Sequence, residues 1–236
     1  MRKEGTYLDF GYSTLTTPDL YDDRIVELLE PLSVKLSLPA KYIFSRPGEN
    51  LGFIYFVRKG RTKHFMDNSD GLSKILYTLT PGWFFGETPC FLDIPTGLYS
   101  QTETETVLFK VPNDVIQRLL VENELFRQKL LQCSCYKLLI LRFEVANLTF
   151  HSCKKRLLRL FASSVDTENV TDPGWYNLKI RYTQSELGEI IGGARVTISR
   201  QMNELCCEGY IRMVNRRVQM NAEEYHKLVH SSEDDM

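Results

Sequence analysis

Four polar side chains crowd the run Arg195-Val196-Thr197-Ile198-Ser199-Arg200. Two guanidinium groups and two hydroxyls along one helical segment can donate to phosphate oxygens and to base edges in a major groove. Ile198, Met202 and Leu205 recur at helical spacing and fall on the other side, so one segment carries an anchoring face and a polar face. Val196 interrupts the polar set, and its apolar side chain suits a thymine methyl group. The turn Asn215-Arg216-Arg217 adds charge suited to a phosphate backbone. Elsewhere Lys137 breaks a long apolar run beside Tyr136. On a solvated face it would only aid solubility. Enclosed, its ammonium group would keep its charge by meeting a carboxylate or phenolate, with Tyr136 supplying a ring and a hydroxyl.

The elements that position these groups follow from the pattern around them. Gln184 to Ile191 places Leu187, Ile190 and Ile191 on one face, with Thr183 as a cap, and Gly192-Gly193 ends that helix. A second helix runs from Arg195 to Cys206 or Cys207 and stops before Gly209; together the two form a helix-turn-helix. Tyr210 to Val214 alternates like a strand and, with Val218 and Met220 after the basic turn, makes a two-stranded wing. A polar helical hairpin without any nucleic-acid role is the plainer alternative for the two helices. Upstream, short strands at 42–44, 53–57, 63–66 and 72–79 are separated by Gly, Pro and Asn-rich turns, which predicts an antiparallel sandwich or roll. Trp83 to Glu87 reads as an aromatic strand relaxed at Gly86, and 101–111 as the last strand or two. Asn113 or Asp114 would cap the helix that follows. Glu124 to Leu148 holds no Pro or Gly and has apolar residues on more than one side, so it is either a buried core helix or a dimerisation helix. The expected divisions are a lead-in at 1–20, a β-rich effector domain at 21–123, a dimerisation helix at 124–148 and a DNA-binding domain at 149–236. That last division holds a hinge at 149–152, a helix from His151 to Val165, a strand over Tyr176–Tyr182, a closing helix over 221–229 and an acidic tail. The fold class is α+β.

With 236 residues, 43% of them hydrophobic, the chain can form two modest cores. A net charge of -1 gives no global sign of nucleic-acid binding, but Arg195, Arg200, Arg212, Arg216 and Arg217 concentrate positive charge locally. No secretory or membrane-spanning stretch is evident, so a cytoplasmic location and no membrane partner are expected. Cys133 and Cys135 stand at alternate helix positions and point apart, and Cys90, Cys153, Cys206 and Cys207 complete no site. His226 and His230 share a helix face without further ligands. No metal or other cofactor is therefore expected, and a thiol switch stays open as an alternative. An enzyme is the competing class, but no triad or metal motif supports it.

The segment TQSELGEIIGGARVTISRQMNEL resembles the DNA-binding signature of the CRP/FNR family of bacterial transcription regulators, and the β-rich half and long helix extend the likeness over nearly the whole chain. The VT-hydrophobic-SR run looks most like the CprK-type branch, which senses halogenated phenols. The resemblance implies an N-terminal β-roll of the cyclic-nucleotide-binding type, a long dimerisation helix and a C-terminal winged helix-turn-helix. It also implies a homodimer on double-stranded palindromic DNA, with RNA polymerase as a further partner, and an activator. DNA contacts would fall to Arg195, Val196, Thr197, Ser199, Arg200, Arg216 and Arg217. In cyclic-nucleotide-binding relatives a Gly-Glu pair, here Gly86 and Glu87, holds the ribose, and a downstream Arg holds the phosphate. Pro95-Thr96-Gly97-Leu98-Tyr99-Ser100 offers no such arginine, which argues against cyclic AMP. The likeness carries an effector-contacting lysine onto Lys137, so a small phenol or aromatic acid is expected, held by Phe85, Gly86, Glu87, Tyr99, Ser100 and Lys137 with Tyr136 behind them; Glu87 would either hydrogen-bond the ligand or repel an acid. The N-terminal cysteine cluster of iron–sulfur relatives has no counterpart here. A constitutive or thiol-responsive regulator remains the alternative.

Overall fold

The structure, a computed structural model, describes residues 17–168 and 174–231. The expected lead-in up to residue 16, part of the loop after Val165 and the tail past Ser231 lie outside the described residues, as does the side chain of His230.

Helix α1 (Asp23–Leu29) starts at Asp22, whose carboxylate accepts from the Arg24 amide at 3.1 Å. Eight strands follow: β1 (Val34–Leu38), β2 (Ile43–Ser45), β3 (Phe53–Lys59), β4 (Thr62–Asp67), β5 (Ser73–Leu79), β6 (Phe84–Phe85), and, after helix α2 (Glu87–Leu92), β7 (Tyr99–Thr102) and β8 (Thr106–Pro112). They make two four-stranded sheets of order β1-β8-β3-β6 and β2-β7-β4-β5. Strand β3 is buried on both faces, and its Ile54, Tyr55, Phe56 and Val57 explain why the stretch is apolar throughout rather than alternating. Trp83, Phe84, Phe56, Phe109 and Phe126 are fully enclosed, and burying each such ring is worth roughly 1.5–3 kcal/mol. The Trp83 indole donates to the Pro18 carbonyl at 3.1 Å, so no polar atom is stranded by that burial.

Two details differ from expectation here. The strand at Trp83–Glu87 stops at Phe85, because Gly86 turns left-handed at φ 92° and Glu87 opens α2. Helix α3 (Asn113–Glu122) leaves β8 directly, with Pro112 as the capping residue and no side-chain cap; the Asn113 oxygen instead accepts from the Cys90 thiol and from Gln117.

Helix α4 (Glu124–Phe150) is unbroken over 27 residues, about 40 Å at 1.5 Å per residue. It carries two apolar stripes. Phe126, Leu130, Cys133, Lys137 and Ile140 are buried at spacings of four and three, while Leu131, Leu138 and Val145 are exposed and lie seven apart. Cys133 is buried and Cys135 exposed, so the two thiols diverge. The described residues fall into two compact units, one of Asp67–Lys74 with the chain from Phe143 onward, the other of the chain up to Met66 with Ile75–Arg142.

Past α4, Ser152 caps α5 (Cys153–Ser163), which starts two residues later than expected because its hydroxyl accepts from the Lys155 amide. The strand expected over 176–182 shrinks to β9 (Trp175–Asn177), since only those residues find a ladder partner in the wing. Helix α6 (Gln184–Ile191) opens with a reciprocal capping box: Glu186 N donates to the Thr183 hydroxyl at 3.2 Å, and Thr183 N to the Glu186 carboxylate at 2.7 Å. Gly192 ends it at φ 71°, and a Cβ on Gly188 would stand 2.8 Å from the Gly193 carbonyl oxygen, so the turn is closed by backbone approach. Helix α7 (Arg195–Cys207) then buries Ile198, Met202 and Leu205. Strands β10 (Ile211–Val214) and β11 (Arg217–Asn221) pair around Asn215 and Arg216. Both sit at positive φ, the tight two-residue turn whose twist matches a hairpin. Helix α8 (Ala222–Ser231) closes the unit. No helix among the described residues is long and apolar enough to cross a membrane.

Candidate functional site

In the roll, a cavity of about 140 Å3 is bounded by His64, Tyr77, Phe85, Gly86, Glu87 and Ser100, with residues 94–98 over one side. Sheet register decides which side chains reach it. His64 on β4 lies opposite Ser100 on β7, and their side chains share a hydrogen bond of 3.0 Å; His64 also bonds the Thr62 hydroxyl at 3.1 Å. The histidine is 2% exposed, and burial, helped by the nearby Lys137 charge, pushes its pKa down to about 3. It is a neutral ring at physiological pH. The His64 ring packs 4.6 Å from Phe85 and 5.1 Å from Tyr77, and Phe85 stacks on Tyr55 at 4.9 Å, giving an aromatic wall.

Glu87 is the charged group on that wall, and behind it stands Lys137, 5% exposed. The ammonium group donates to the Phe84 carbonyl at 2.9 Å and is ion-paired with the Glu87 carboxylate. A buried lysine therefore has its anion, supplied from within the chain.

Of the residues expected here, Phe85, Gly86, Glu87 and Ser100 come together around the cavity, and three do not. Tyr99 points to the opposite face from its strand neighbour Ser100 and stacks on Phe65 at 5.1 Å. Tyr136 packs on Trp83 at 6.1 Å, outside the lining. Lys137 reaches the site through Glu87, not as part of the wall. His64 and Tyr77 were missed by sequence reasoning. A histidine and a tyrosine in separate strands carry no local signal; only the β4–β7 register and the β5 pairing bring them to Phe85.

On α7 the polar face stands free. Arg195, Val196 and Arg200 are exposed, Val196 to 80%, and Thr197 and Ser199 are half-buried. Arg195, Val196, Ser199 and Arg200 line an open groove of about 880 Å3 together with Gln184 and Asn203; Thr197 does not. Asn203 was not singled out from the sequence, although it follows Val196 by seven positions and so shares its face. Gln184 reaches the groove from the start of α6, which no spacing within α7 could show. Arg200 has Glu204 one turn on at 3.9 Å, a loose pairing that leaves the guanidinium available. Arg216 and Arg217 are exposed in the wing. Arg212 differs from the other arginines of the expected cluster: it stacks on Trp175 at 4.5 Å and donates to Gln219 at 2.7 Å.

Two family descriptions match this chain in succession, the cyclic nucleotide-binding domain over residues 35–123 and the Crp-like helix-turn-helix domain over residues 155–225. The chain belongs to the CRP/FNR family of transcription regulators. Among curated members, it is 22% identical to the CRP-like cAMP-activated global transcriptional regulator of Mycobacterium tuberculosis over 73% of this chain and 75% of that one. It is 26% identical to the cAMP-activated regulator CRP of Haemophilus influenzae over 69% and 72%. Among solved structures of the fold, the c-di-GMP responsive regulator CLP of Xanthomonas campestris covers 85% of this chain and 100% of its own (TM-score 0.75, 20% identity). A CprK variant complexed with OCPA covers 93% and 100% (TM-score 0.71, 19% identity). This CRP/FNR chain is thus an effector-responsive, DNA-binding regulator with a β-roll, a long helix and a helix-turn-helix. Among the described residues, no group of three or more His, Cys, Asp and Glu side chains is placed to hold a metal ion.

Proposed function

We propose that this regulator is a homodimer that binds a palindromic operator through α7 and takes a small phenol or aromatic acid as its effector in the roll cavity. The observation that carries the reading is the cavity itself: three aromatic rings beside a carboxylate, in about 140 Å3. A cavity of about 150 Å3 lined by apolar groups accommodates benzene, so a single ring is the right scale. Cyclic nucleotides, named for the curated relatives above, fit this chain poorly. Its lining contains neither Arg nor Lys among the described residues, and Glu87 would repel a phosphate. Pairing through α4 is supported by the exposed stripe of Leu131, Leu138 and Val145, whose seven-residue spacing suits a parallel helix pair. Two copies of α7 would then address half-sites about one duplex turn, roughly 34–36 Å, apart. Arg195, Thr197, Ser199 and Arg200 are assigned to phosphates and base edges, Val196 to a thymine methyl, Arg216 and Arg217 to the backbone, and RNA polymerase follows as the partner of a bound activator.

Operator affinity at fixed salt, measured with a selected palindrome against a panel of phenols, aryl acids and cyclic AMP, tests the proposal. A gain of tenfold or more with a one-ring aromatic, about 1.4 kcal/mol, is expected. A response to cyclic AMP alone would overturn the effector assignment, and equal affinity throughout would favour a constitutive regulator.

A further inference from the structure

Lys137 already has its counter-ion, and that changes what the cavity can accept. The ammonium group is enclosed, donating to the Phe84 carbonyl and paired with Glu87, while Glu87 faces the cavity from in front of it. A molecule entering from the cavity side meets a carboxylate first. Besides Lys137, the titratable groups that feel that carboxylate are Tyr77, Cys90 and Cys133, none of which supplies a positive charge, and the cavity lining holds neither Arg nor Lys among the described residues.

We propose that Glu87 sets the ionisation state of the effector: the cavity takes an aromatic ligand that presents a neutral O–H donor, and it rejects the carboxylate or phenolate of the same size. The inference rests on the aromatic-effector reading and narrows it. The Lys137–Glu87 pair is neutral as a unit, so adding an anion would leave a net negative charge in a desolvated enclosure. A phenol O–H instead donates to the Glu87 oxygen and leaves the pair intact, with the ring between Phe85 and Tyr77. Its oxygen still has lone pairs to accept from the Ser100 hydroxyl, itself held by His64. Glu87 is on this account the specificity-determining residue, and Lys137 acts through it by holding the carboxylate in place.

The test is calorimetric titration of the full chain with phenol, benzoate and 2,4,6-trifluorophenol, the last close to phenol in size and ionising near neutral pH. Phenol is expected to bind at least about tenfold more tightly than benzoate at pH 7. Trifluorophenol affinity is expected to fall about tenfold per pH unit once that ligand ionises, a result that needs no variant. Glu87→Gln removes the charge that repels anions and should narrow the phenol–benzoate gap. Because it leaves Lys137 without a counter-charge, the double variant Glu87→Gln/Lys137→Met is measured beside it as a neutral pair, and the same loss of discrimination is expected. Benzoate binding as tightly as phenol, or trifluorophenol affinity rising as it ionises, would overturn this inference and leave the aromatic reading standing. Failure of all three probes to bind would overturn both.

Discussion

On α7, Arg195, Val196 and Arg200 project from one helix and touch little else, whereas in the roll His64, Tyr77, Phe85, Glu87 and Ser100 come from five separate segments and are tied to one another or to Lys137. The first site is an exposed face whose scaffold lies on the other side of the same helix. The second is a largely enclosed network in which His64 bonds Ser100 and Thr62, and Glu87 pairs with Lys137. Removing a side chain from the first should cost binding and spare the fold. Removing one from the second should cost the fold itself, because a buried partner is left unpaired.

The largest expected effect breaks that network. Lys137→Ala strands the Glu87 carboxylate and should destabilise the roll by about 3–5 kcal/mol. Trp83 sits in the roll and Trp175 in the wing, so denaturation followed with one tryptophan at a time separates the two. Loss is expected in the Trp83 signal alone; equal loss at both would erase the contrast. Arg200→Ala comes next, with operator affinity lowered by about 1–3 kcal/mol and denaturation midpoints unmoved, as for removal of a base or phosphate contact. A shifted midpoint would mean that Arg200 is structural.

Acid sharpens the comparison in a third way. The His64 pKa is depressed on folding, so between pH 6.5 and about 3 the unfolded chain binds a proton that the folded chain refuses. This contribution to stability is complete above pH 6.5 and is lost as pH falls, at up to about 1.4 kcal/mol per pH unit. His64→Gln should flatten the acid limb of the Trp83 curve and leave that of Trp175 unchanged. The smallest effect belongs to the wing: Arg216→Ala or Arg217→Ala should each reduce the slope of log affinity against log salt by about 1, with equal loss across operator sequences.

The same contrast explains what could be read from the sequence. The helix-turn-helix is local: Thr183 and Glu186 cap one helix, Gly192 turns it, and Ile198, Met202 and Leu205 mark the inner face of the next, all within 23 consecutive residues. The two faces of α7 were therefore legible, and Asn203 would have joined the outer one had the spacing been followed one turn further. The strands of the roll were legible too, as apolar runs between turns. Its cavity was not. Tyr99 and Ser100 differ by one position, and only the pairing of β7 with β4 decides that Ser100 faces in and Tyr99 packs on Phe65. Lys137 was expected to hold an anionic ligand, whereas its partner in the structure is Glu87, a residue 50 positions away, and no helical or strand period links the two.

Coupling between the two sites is the centre of this account, and reciprocity tests it most directly. The dissociation constant of a one-ring phenol should be measured by calorimetry with and without saturating operator DNA, at one salt and one pH. If the roll cavity controls the α7 face, operator must tighten phenol binding by the same factor by which phenol tightens operator binding. Phenol binding of equal strength in the presence and absence of operator would contradict it.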